Sequence, residues 1–253
     1  MFQGISLFFL GAALLFAGAG CLSLSSLPTP PTLPLPASPT IDTSFTWKEL
    51  GPGLDRVQTT FSTTTGAMLL LYRLSPRCYE AEIAQMRPPK HVSVWGAEAT
   101  GTTLLVNGVY FHDDYLPSGF LRVSGTQIGT RTFDQDKTGA LLFHPFRLID
   151  TVIQPLNLSS YPDVAQSYPF LLKNGRLAVT SESGKVARRT FIGLDQRGFI
   201  YVGVVPYAPI SLRELSEFLQ TLPIAWAHVM NLDGGPSTGL WTKFGAHEEL
   251  LDS

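Results

Sequence analysis

Residues 230–241 have the types and spacing best suited to chemistry in this chain. They read Met-Asn-Leu-Asp-Gly-Gly-Pro-Ser-Thr-Gly-Leu-Trp, and two patterns overlap in them. The five residues from Gly235 fit the G-x-S-x-G pattern that surrounds the nucleophilic serine of many hydrolases. From Asn231 onward, the same residues describe a strand that runs into an acidic, glycine-rich turn. The two interpretations give Ser237 and Asp233 different roles.

The nucleophile interpretation conflicts with the order of residues along the chain. A serine hydrolase of this pattern needs a helix after the serine, and then an acid and a histidine further on. Only 16 residues follow Ser237, and Pro236 stands inside the turn. The one later histidine, His247, precedes Asp252, which is the reverse of the required order. The sequence therefore argues against a serine hydrolase.

The acidic-turn interpretation places polar side chains where a strand ends. Glycines at this point permit positive φ angles and a close approach of a ligand to the backbone. The turn could bind an oxyanion or sugar hydroxyls through the side chains or backbone amides of Asn231, Asp233, Gly234, Gly235, Ser237 and Thr238. An ordinary Asp-Gly hairpin turn has similar residues, so the turn alone does not decide between binding and structure.

The elements that position this turn are mostly strands. Short apolar or alternating runs predict strands over residues 66–74, 102–111, 119–125, 168–179 and 189–205. The last run predicts a hairpin that turns at residues 195–198. Ser211 and Glu214 form a capping-box pattern at the start of a predicted helix, and a strand over residues 224–232 leads from that helix into the acidic turn. The fold class is therefore α+β, a single domain with a large mixed or antiparallel sheet and few helices.

The N-terminal region has the composition of an anchor and a spacer. Residues 1–24 include an apolar run, 5–24, that is long enough to span a bilayer as a helix. Residues 25–44 are rich in proline, which favours an extended linker. Small residues precede Cys21, as in the lipobox of bacterial lipoproteins, although no Lys or Arg precedes Lys48. Lipidation of Cys21, an uncleaved membrane anchor and a cleaved signal all remain open, and each predicts an exported protein, in the first two cases bound to a membrane.

Composition limits the remaining residues, 45–253. With 44% hydrophobic and 15% charged residues, the chain can bury one substantial core. A formal net charge of -2 gives no reason to expect a nucleic-acid partner. Cys78 is the one cysteine of this region, which predicts a buried, inert thiol and no disulfide within the domain. Nothing in the sequence indicates an oligomeric state.

Five segments occur in the order seen in a known family: residues 104–111, 118–125, 168–177, 188–202 and 230–241. The most specific elements are Asn107-Gly108 followed by Tyr110-Phe111, Arg189-Thr190 with Gly193, and the Asn-Leu-Asp-Gly-Gly-x-Ser turn. Over roughly residues 65–245 the chain resembles the phosphodiester glycosidases. Val109 stands where that family commonly has a second glycine.

The resemblance implies a glycoside hydrolase that breaks the bond between sugar C1 and a phosphodiester oxygen in envelope or extracellular glycans. An alkyl phosphate leaves with little protonation, so the site must chiefly bind phosphate, activate water and stabilise oxocarbenium-like charge. Asp233 is then the expected base or electrostatic stabiliser, and Arg189 the expected phosphate ligand. Asn107 and Asn231 are expected to orient sugar hydroxyls or the water.

The resemblance adds Gly108, Tyr110 and Gln166 to the expected substrate-binding residues, the last because the family commonly has a polar residue there. No cofactor is expected. No metal is expected either, because the His-Asp-Asp sequence at residues 112–114 is typical of a solvated turn. The alternative function is a noncatalytic envelope protein that binds a glycan or a glycan phosphate on the same fold.

Overall fold

The computed structural model describes residues 13–18, 45–60, 66–85, 90–154 and 160–252. All strand pairs within these ranges are antiparallel. In chain order the elements are β1 (Ala13–Gly18), β2 (Lys48–Gly51), β3 (Leu54–Thr60), β4 (Met68–Leu74), β5 (Tyr79–Ala84), α1 (Val92–Glu98), β6 (Thr102–Asn107), β7 (Leu121–Val123), β8 (Thr126–Ile128), β9 (Gly139–Leu142), β10 (Arg147–Asp150), β11 (Val164–Ser167), β12 (Phe170–Lys173), β13 (Arg176–Leu177), β14 (Ala187–Asp195), β15 (Ile200–Ile210), α2 (Leu212–Thr221), β16 (Trp226–Asn231), β17 (Leu240–Phe244) and β18 (His247–Leu251).

The largest sheet has eight strands in the order β13-β12-β16-β14-β15-β4-β3-β2. Apolar layers cover both of its faces, which explains the continuous apolar sequence of β4. Leu70 and Tyr72 belong to one layer, and Leu69 and Leu71 to the other. Alternate residues of a strand point to opposite faces, so both faces of this strand are buried.

Two five-stranded sheets, β18-β17-β6-β1-β5 and β10-β9-β11-β7-β8, share a core with one face of the large sheet. Leu104 of β6, Leu141 of β9 and Val202 of β15 belong to that same apolar cluster. Helix α2 covers the other face of the large sheet with Leu215 and Leu219, both fully buried. The predicted fold class, a single α+β domain with a large sheet and few helices, is confirmed.

The local predictions around α2 and the long hairpin are also confirmed. Ser211 Oγ accepts a hydrogen bond from Glu214 N at 3.1 Å, and Ser211 N donates to Glu214 Oε2 at 2.8 Å, so the capping box is complete. Strands β14 and β15 form the predicted hairpin. Gly198 N donates to Asp195 O at 3.0 Å in its turn. These features depend on neighbouring residues, which is why the sequence reveals them.

The N-terminal apolar run differs from its prediction, because its described part is a strand and not a helix. Strand β1 lies between β5 and β6 and pairs with both. Leu14 and Phe16 are fully buried in the main core. A short apolar run has no periodicity that separates a buried strand from a helix. Cys21 and the proline-rich linker of residues 25–44 lie outside the described residues.

Neither helix in the described ranges is long and apolar enough to cross a bilayer. Cys78, at the start of β5, has an exposed fraction of 4% and is disulfide-bonded. The predicted burial of this residue is confirmed, and the prediction that it makes no disulfide is wrong. That prediction assigned residues 1–24 to an anchor outside the domain, whereas β1 pairs directly with β5.

Candidate active site

The acidic turn lies where the large sheet meets the sheet that contains β6. Leu232 N donates to Thr190 O at 2.9 Å, which extends the pairing of β16 with β14 beyond the last residue of β16. Asp233 N donates to Gly108 O at 3.1 Å, directly after β6. The turn is therefore fixed to two sheets at once, and the segments that follow β6 and β16 meet beside Asp233.

Asn107 is completely buried and holds this junction together. Its Nδ2 donates to Asp233 O at 2.8 Å. Its Oδ1 accepts from Thr190 Oγ1 at 2.7 Å and from Gly239 N at 3.2 Å. The expected site residue thus lies next to Asp233, and its amide hydrogen-bonds to protein atoms on three segments.

The Asp233 carboxyl is partly buried and receives two hydrogen bonds. Burial raises the pKa of Asp233, while the Ser237 side chain and the backbone N–H of Gly234 oppose that rise. Gly234 N donates to Asp233 Oδ1 at 2.8 Å. The Ser237 side chain is therefore a hydrogen-bond donor to the Asp233 carboxyl.

Each of the two glycines of the turn meets a different steric requirement. A Cβ on Gly234 would lie 2.7 Å from Arg188 O, so the backbone of the turn approaches β14 too closely for a side chain. Gly235 has a φ of 62° and open space around its Cα. Arg188 also holds the turn in place: its Nε donates a hydrogen bond to Gly235 O at 2.8 Å, and its Nη2 donates one to Pro236 O at 3.0 Å.

We expect Gly234→Ala to disturb the site more than Gly235→Ala. The first change forces the turn away from Arg188 O and displaces Asp233, at a cost of about 1–3 kcal/mol. The second adds only the strain of a left-handed residue, about 1 kcal/mol. Thermal unfolding and ligand affinity of the two variants measure the difference. A Gly235→Ala variant that loses more affinity than Gly234→Ala would contradict this account of the turn.

Asn231 and two tyrosines form the wall beside Asp233. Asn231 Nδ2 donates to Leu232 O at 2.7 Å and to the Tyr110 hydroxyl. The rings of Tyr110 and Tyr168 lie 4.8 Å apart, and Tyr168 is 37% exposed. Burial raises the pKa of Tyr110, and the negative charge of Asp233 raises it further. The Tyr110 hydroxyl therefore stays protonated at neutral pH.

Two buried oxygens of the acidic turn have no hydrogen-bond partner in the part of the chain that the structure describes. They are Asn231 Oδ1 and Thr238 Oγ1, and each residue is 1% exposed. Buried polar atoms are almost always paired with protein, water or ligand. A water or another bound molecule is therefore needed to complete the hydrogen bonding of these two oxygens. Tyr168 is a member of the wall beside Asp233 that the sequence does not single out.

Arg189 is buried and partly engaged by the protein. Its Nε donates to Ile210 O and its Nη2 to Lys185 O, both at 3.0 Å. Within the described residues its Nη1 has no hydrogen-bond partner. Burial lowers the pKa of Arg189, against the opposing effects of Tyr110 and Glu182, but a guanidinium keeps its charge at neutral pH. The edge of the guanidinium formed by Nη1 and Nη2 is the one that could still bind an anion.

Gln166 acts at a distance from the acidic turn. Its Oε1 accepts from Phe120 N and Asp134 N, both at 3.0 Å, and its Nε2 donates to Asp134 O and Lys137 O. These contacts hold the loop whose Lys137 ammonium lies 5.2 Å from the centre of the Tyr168 ring. The side chain thus supports the loop that borders Tyr168.

Among the described residues, Ser237 makes no hydrogen bond to a histidine. His247 Nε2 lies 3.3 Å from Tyr72 Oη, in a cluster with Glu249 and Arg56.

Among the residues that the structure describes, no group of three His, Cys, Asp or Glu side chains could hold a metal ion. A cavity of about 440 Å³ lies apart from the acidic turn, and its lining includes Gly96, Trp241 and Glu248.

Fold and site together define an antiparallel α+β domain with a partly buried acidic turn between two sheets. The family model described as "Phosphodiester glycosidase" matches residues 100–251, and the chain belongs to that hydrolase-like family. The predicted family is therefore confirmed. No curated protein sequence matches this chain.

The solved structures with a similar fold include the following two. A hypothetical protein from Synechocystis has a TM-score of 0.56 and 14% sequence identity, over 78% of this chain and 59% of that one. The zebrafish N-acetylglucosamine-1-phosphodiester alpha-N-acetylglucosaminidase catalytic domain, auto-inhibited by its pro-peptide, has a TM-score of 0.54 and 13% identity, over 79% of this chain and 78% of that one. At these identities the likeness shows the fold alone.

Proposed function

We propose that this protein hydrolyses the bond between sugar C1 and the phosphate oxygen of a sugar-1-phosphodiester. The observation that carries the proposal is the partly buried Asp233 carboxyl. The backbone of its turn is fixed to two sheets, and Asn231 Oδ1 and Thr238 Oγ1 of the same turn have no hydrogen-bond partner among the described residues. A phosphate monoester is a good leaving group, so one carboxylate can suffice where an ordinary glycosidase uses two. Asp233 is the base that activates water, or the charge that stabilises the oxocarbenium-like transition state.

The sugar is expected to contact the wall formed by Asn231, Tyr110 and Tyr168. An exposed aromatic face suits the apolar face of a sugar ring, while buried acceptors select its hydroxyls. Tyr110 accepts from Asn231 Nδ2 and keeps its own proton, so it can donate to a sugar hydroxyl or to the water. Asn107 has the role of a positioning residue, because its amide binds Asp233 O and not an open space.

The phosphate is expected to bind to Arg189 through Nη1 and the remaining proton of Nη2. We expect Arg189→Lys to weaken inhibition by an alkyl phosphate about tenfold or more, since an ammonium lacks the planar fork. Inhibition by the free sugar should change much less. Arg188→Lys is the matched control, because Arg188 binds the carbonyls of the turn. Equal loss of sugar and phosphate inhibition in Arg189→Lys would assign Arg189 a purely structural role.

The acidic limb of the pH profile tests the state of Asp233. If the carboxylate is the active form, kcat/KM rises as pH passes through the raised pKa of Asp233. The Ser237 hydroxyl lowers that pKa, so Ser237→Ala should move the acidic limb to higher pH. Thr238→Ala removes a nearby hydroxyl that does not contact Asp233, and should leave the limb in place. A shift to lower pH in Ser237→Ala would show that Asp233 is not the group that titrates.

We place the enzyme in an extracytoplasmic compartment, where its substrates would be envelope or extracellular glycan phosphodiesters. Disulfides persist in oxidising compartments and are rare in the cytosol, and Cys78 is disulfide-bonded. Association with a membrane would then depend on residues that lie outside the described ranges.

The activity is tested by incubating the full chain with synthetic sugar-1-phosphodiesters and measuring the reducing sugar released. Turnover that is lost in Asp233→Asn supports the proposal. Saturable binding of several sugar phosphodiesters with no release of sugar would instead identify a glycan-binding protein on this fold. A covalent adduct of an organophosphate with Ser237 would restore the serine-nucleophile interpretation.

A further inference from the structure

Strand β1 is an interior strand of its sheet, not an addition to its edge. Leu14 pairs with Ile83 of β5 on one side and with Val106 of β6 on the other. Without β1, β5 and β6 would face each other across the width of a missing strand, and both would expose unpaired backbone groups. The sheet order β6-β1-β5 therefore requires these six residues.

The side chains of β1 belong to two apolar clusters. Leu14 and Phe16 lie in the main core, in the same cluster as Leu104 and Ile83. Ala13 packs on the opposite face in a small cluster beneath α1, and Leu15 is partly buried there. A strand that contributes to the interior on both faces has no replacement in the rest of the described chain, so its removal would leave a groove through the core.

The same strand begins beside the candidate active site. Ala13 is the pairing partner of Asn107, and Asn107 binds the backbone of Asp233. The position of Asn107 on β6 thus depends on pairing with β1 on one side. The other side is supported by β17, where Leu240 pairs with Val106.

A disulfide-bonded cysteine, Cys78, lies close to the end of β1. Gly18, the last residue of β1, pairs with Tyr79, and Tyr79 follows the disulfide-bonded Cys78. The sequence has one other cysteine, Cys21. It is three residues beyond Gly18, and three residues can span at most about 11 Å. Cys78 is one residue, about 3.8 Å, from the partner of Gly18, so a disulfide separation of about 6 Å between Cα atoms is within reach.

We propose that β1 is retained in the mature protein, and that a disulfide between Cys78 and Cys21 closes the chain around it. The N-terminal apolar run then contributes a structural strand to the domain that contains Asp233. Formation of the bond removes two protons and two electrons from the two thiols, and a disulfide of a thiol-disulfide oxidoreductase accepts them and becomes a dithiol.

The proposal excludes all three fates that the sequence leaves open. A sulfur that is bonded to Cys78 cannot carry a thioether-linked lipid, so Cys21 is not the lipidated N-terminus of a lipoprotein. A signal peptidase that cut after β1 would remove a strand of the folded domain. Residues 13–18 form a strand of the domain and cannot at the same time be part of a membrane-spanning helix, so the uncleaved anchor is excluded as well.

Mass spectrometry of the full chain, produced in an oxidising compartment and digested without reduction, tests the pairing. We expect one cross-linked pair of peptides, one with Cys21 and one with Cys78, which separates on reduction. The intact protein should retain residues 13–18. A diacylglyceryl group on Cys21, a mature N-terminus at or beyond residue 19, a free Cys78 thiol, or a disulfide between two copies would each overturn the proposal.

Two sets of variants test the strand independently. Leu14→Ala should lower Tm by about 5 to 15 °C, because Leu14 is fully buried in the main core. Leu15→Ala, the same change one residue on, should have a clearly smaller effect, because Leu15 is only partly buried. Cys21→Ser, Cys78→Ser and the double variant should share one lowered Tm, since all three lack the same bond. Equal effects at Leu14 and Leu15, or additive effects of the two cysteine changes, would overturn the proposal.

Discussion

Asp233→Asn is expected to lower kcat by about a hundredfold or more, because it keeps the size of the side chain and removes the charge of the proposed base or stabiliser. Asparagine can still accept the hydrogen bond from Gly234 N through its Oδ1. The turn should therefore keep its shape, and KM should change little. Initial rates of sugar release, measured for the parent and the variant at saturating substrate, give the comparison.

The same variant should not lose stability, and this outcome separates a catalytic role from a structural one. Burial raises the pKa of Asp233 in the folded protein above its value in the unfolded chain. An acid with a raised pKa destabilises the folded state once it is ionised, so its cost is absent at low pH and is fully present above the folded pKa. At pH 7 the Tm of Asp233→Asn should equal or exceed that of the parent. A large fall in Tm together with the loss of activity would show that the carboxylate holds the fold.

Asn107→Ala is expected to lower both stability and activity. The change leaves Thr190 Oγ1, Gly239 N and Asp233 O without their shared partner in a site with no solvent exposure. Each buried group left unpaired costs about 1–3 kcal/mol, so we expect a total loss of about 3 kcal/mol or more. Because the backbone of Asp233 is released, kcat should fall about tenfold or more.

Thr190→Val is the matched control for Asn107→Ala. It removes one of the hydrogen bonds to Asn107 and leaves the bond to Asp233 O in place. We expect about 1 kcal/mol of lost stability and a smaller fall in kcat than in Asn107→Ala. Denaturant unfolding and single-turnover rates measure the two effects. A stable Asn107→Ala variant with raised KM and unchanged kcat would instead indicate that Asn107 binds substrate directly.

Features that depend on neighbouring residues could be predicted from the sequence. The capping box of α2 requires only Ser211 and Glu214, and the turn at Gly198 requires a residue that tolerates a positive φ. The need for glycine in the acidic turn could also be predicted from the sequence. The close approach of Gly234 to Arg188 O could not, because it depends on the position of β14 beside the turn.

Features that depend on distant parts of the chain could not be predicted. The six residues of β1 are apolar whether they form a membrane helix or a buried strand, and only β5 and β6 determine which. The disulfide of Cys78 could not be predicted either, because it also depends on a distant part of the chain. Arg188 and Arg189 are adjacent in sequence, yet only the structure distinguishes their contacts. Arg188 donates hydrogen bonds to the acidic turn, whereas Arg189 leaves one edge of its guanidinium available to bind an anion.

The bond that is broken is the most direct test of the proposed function. Hydrolysis of a sugar-1-phosphodiester in water enriched with oxygen-18 separates the two possible bonds, because the new oxygen remains on the atom that water attacks. Cleavage between C1 and oxygen places the label in the released sugar, and we expect mass spectrometry of the products to find it there, with none in the phosphate monoester. Label in the phosphate monoester would show attack at phosphorus and would contradict the assignment of this site as a glycosidase.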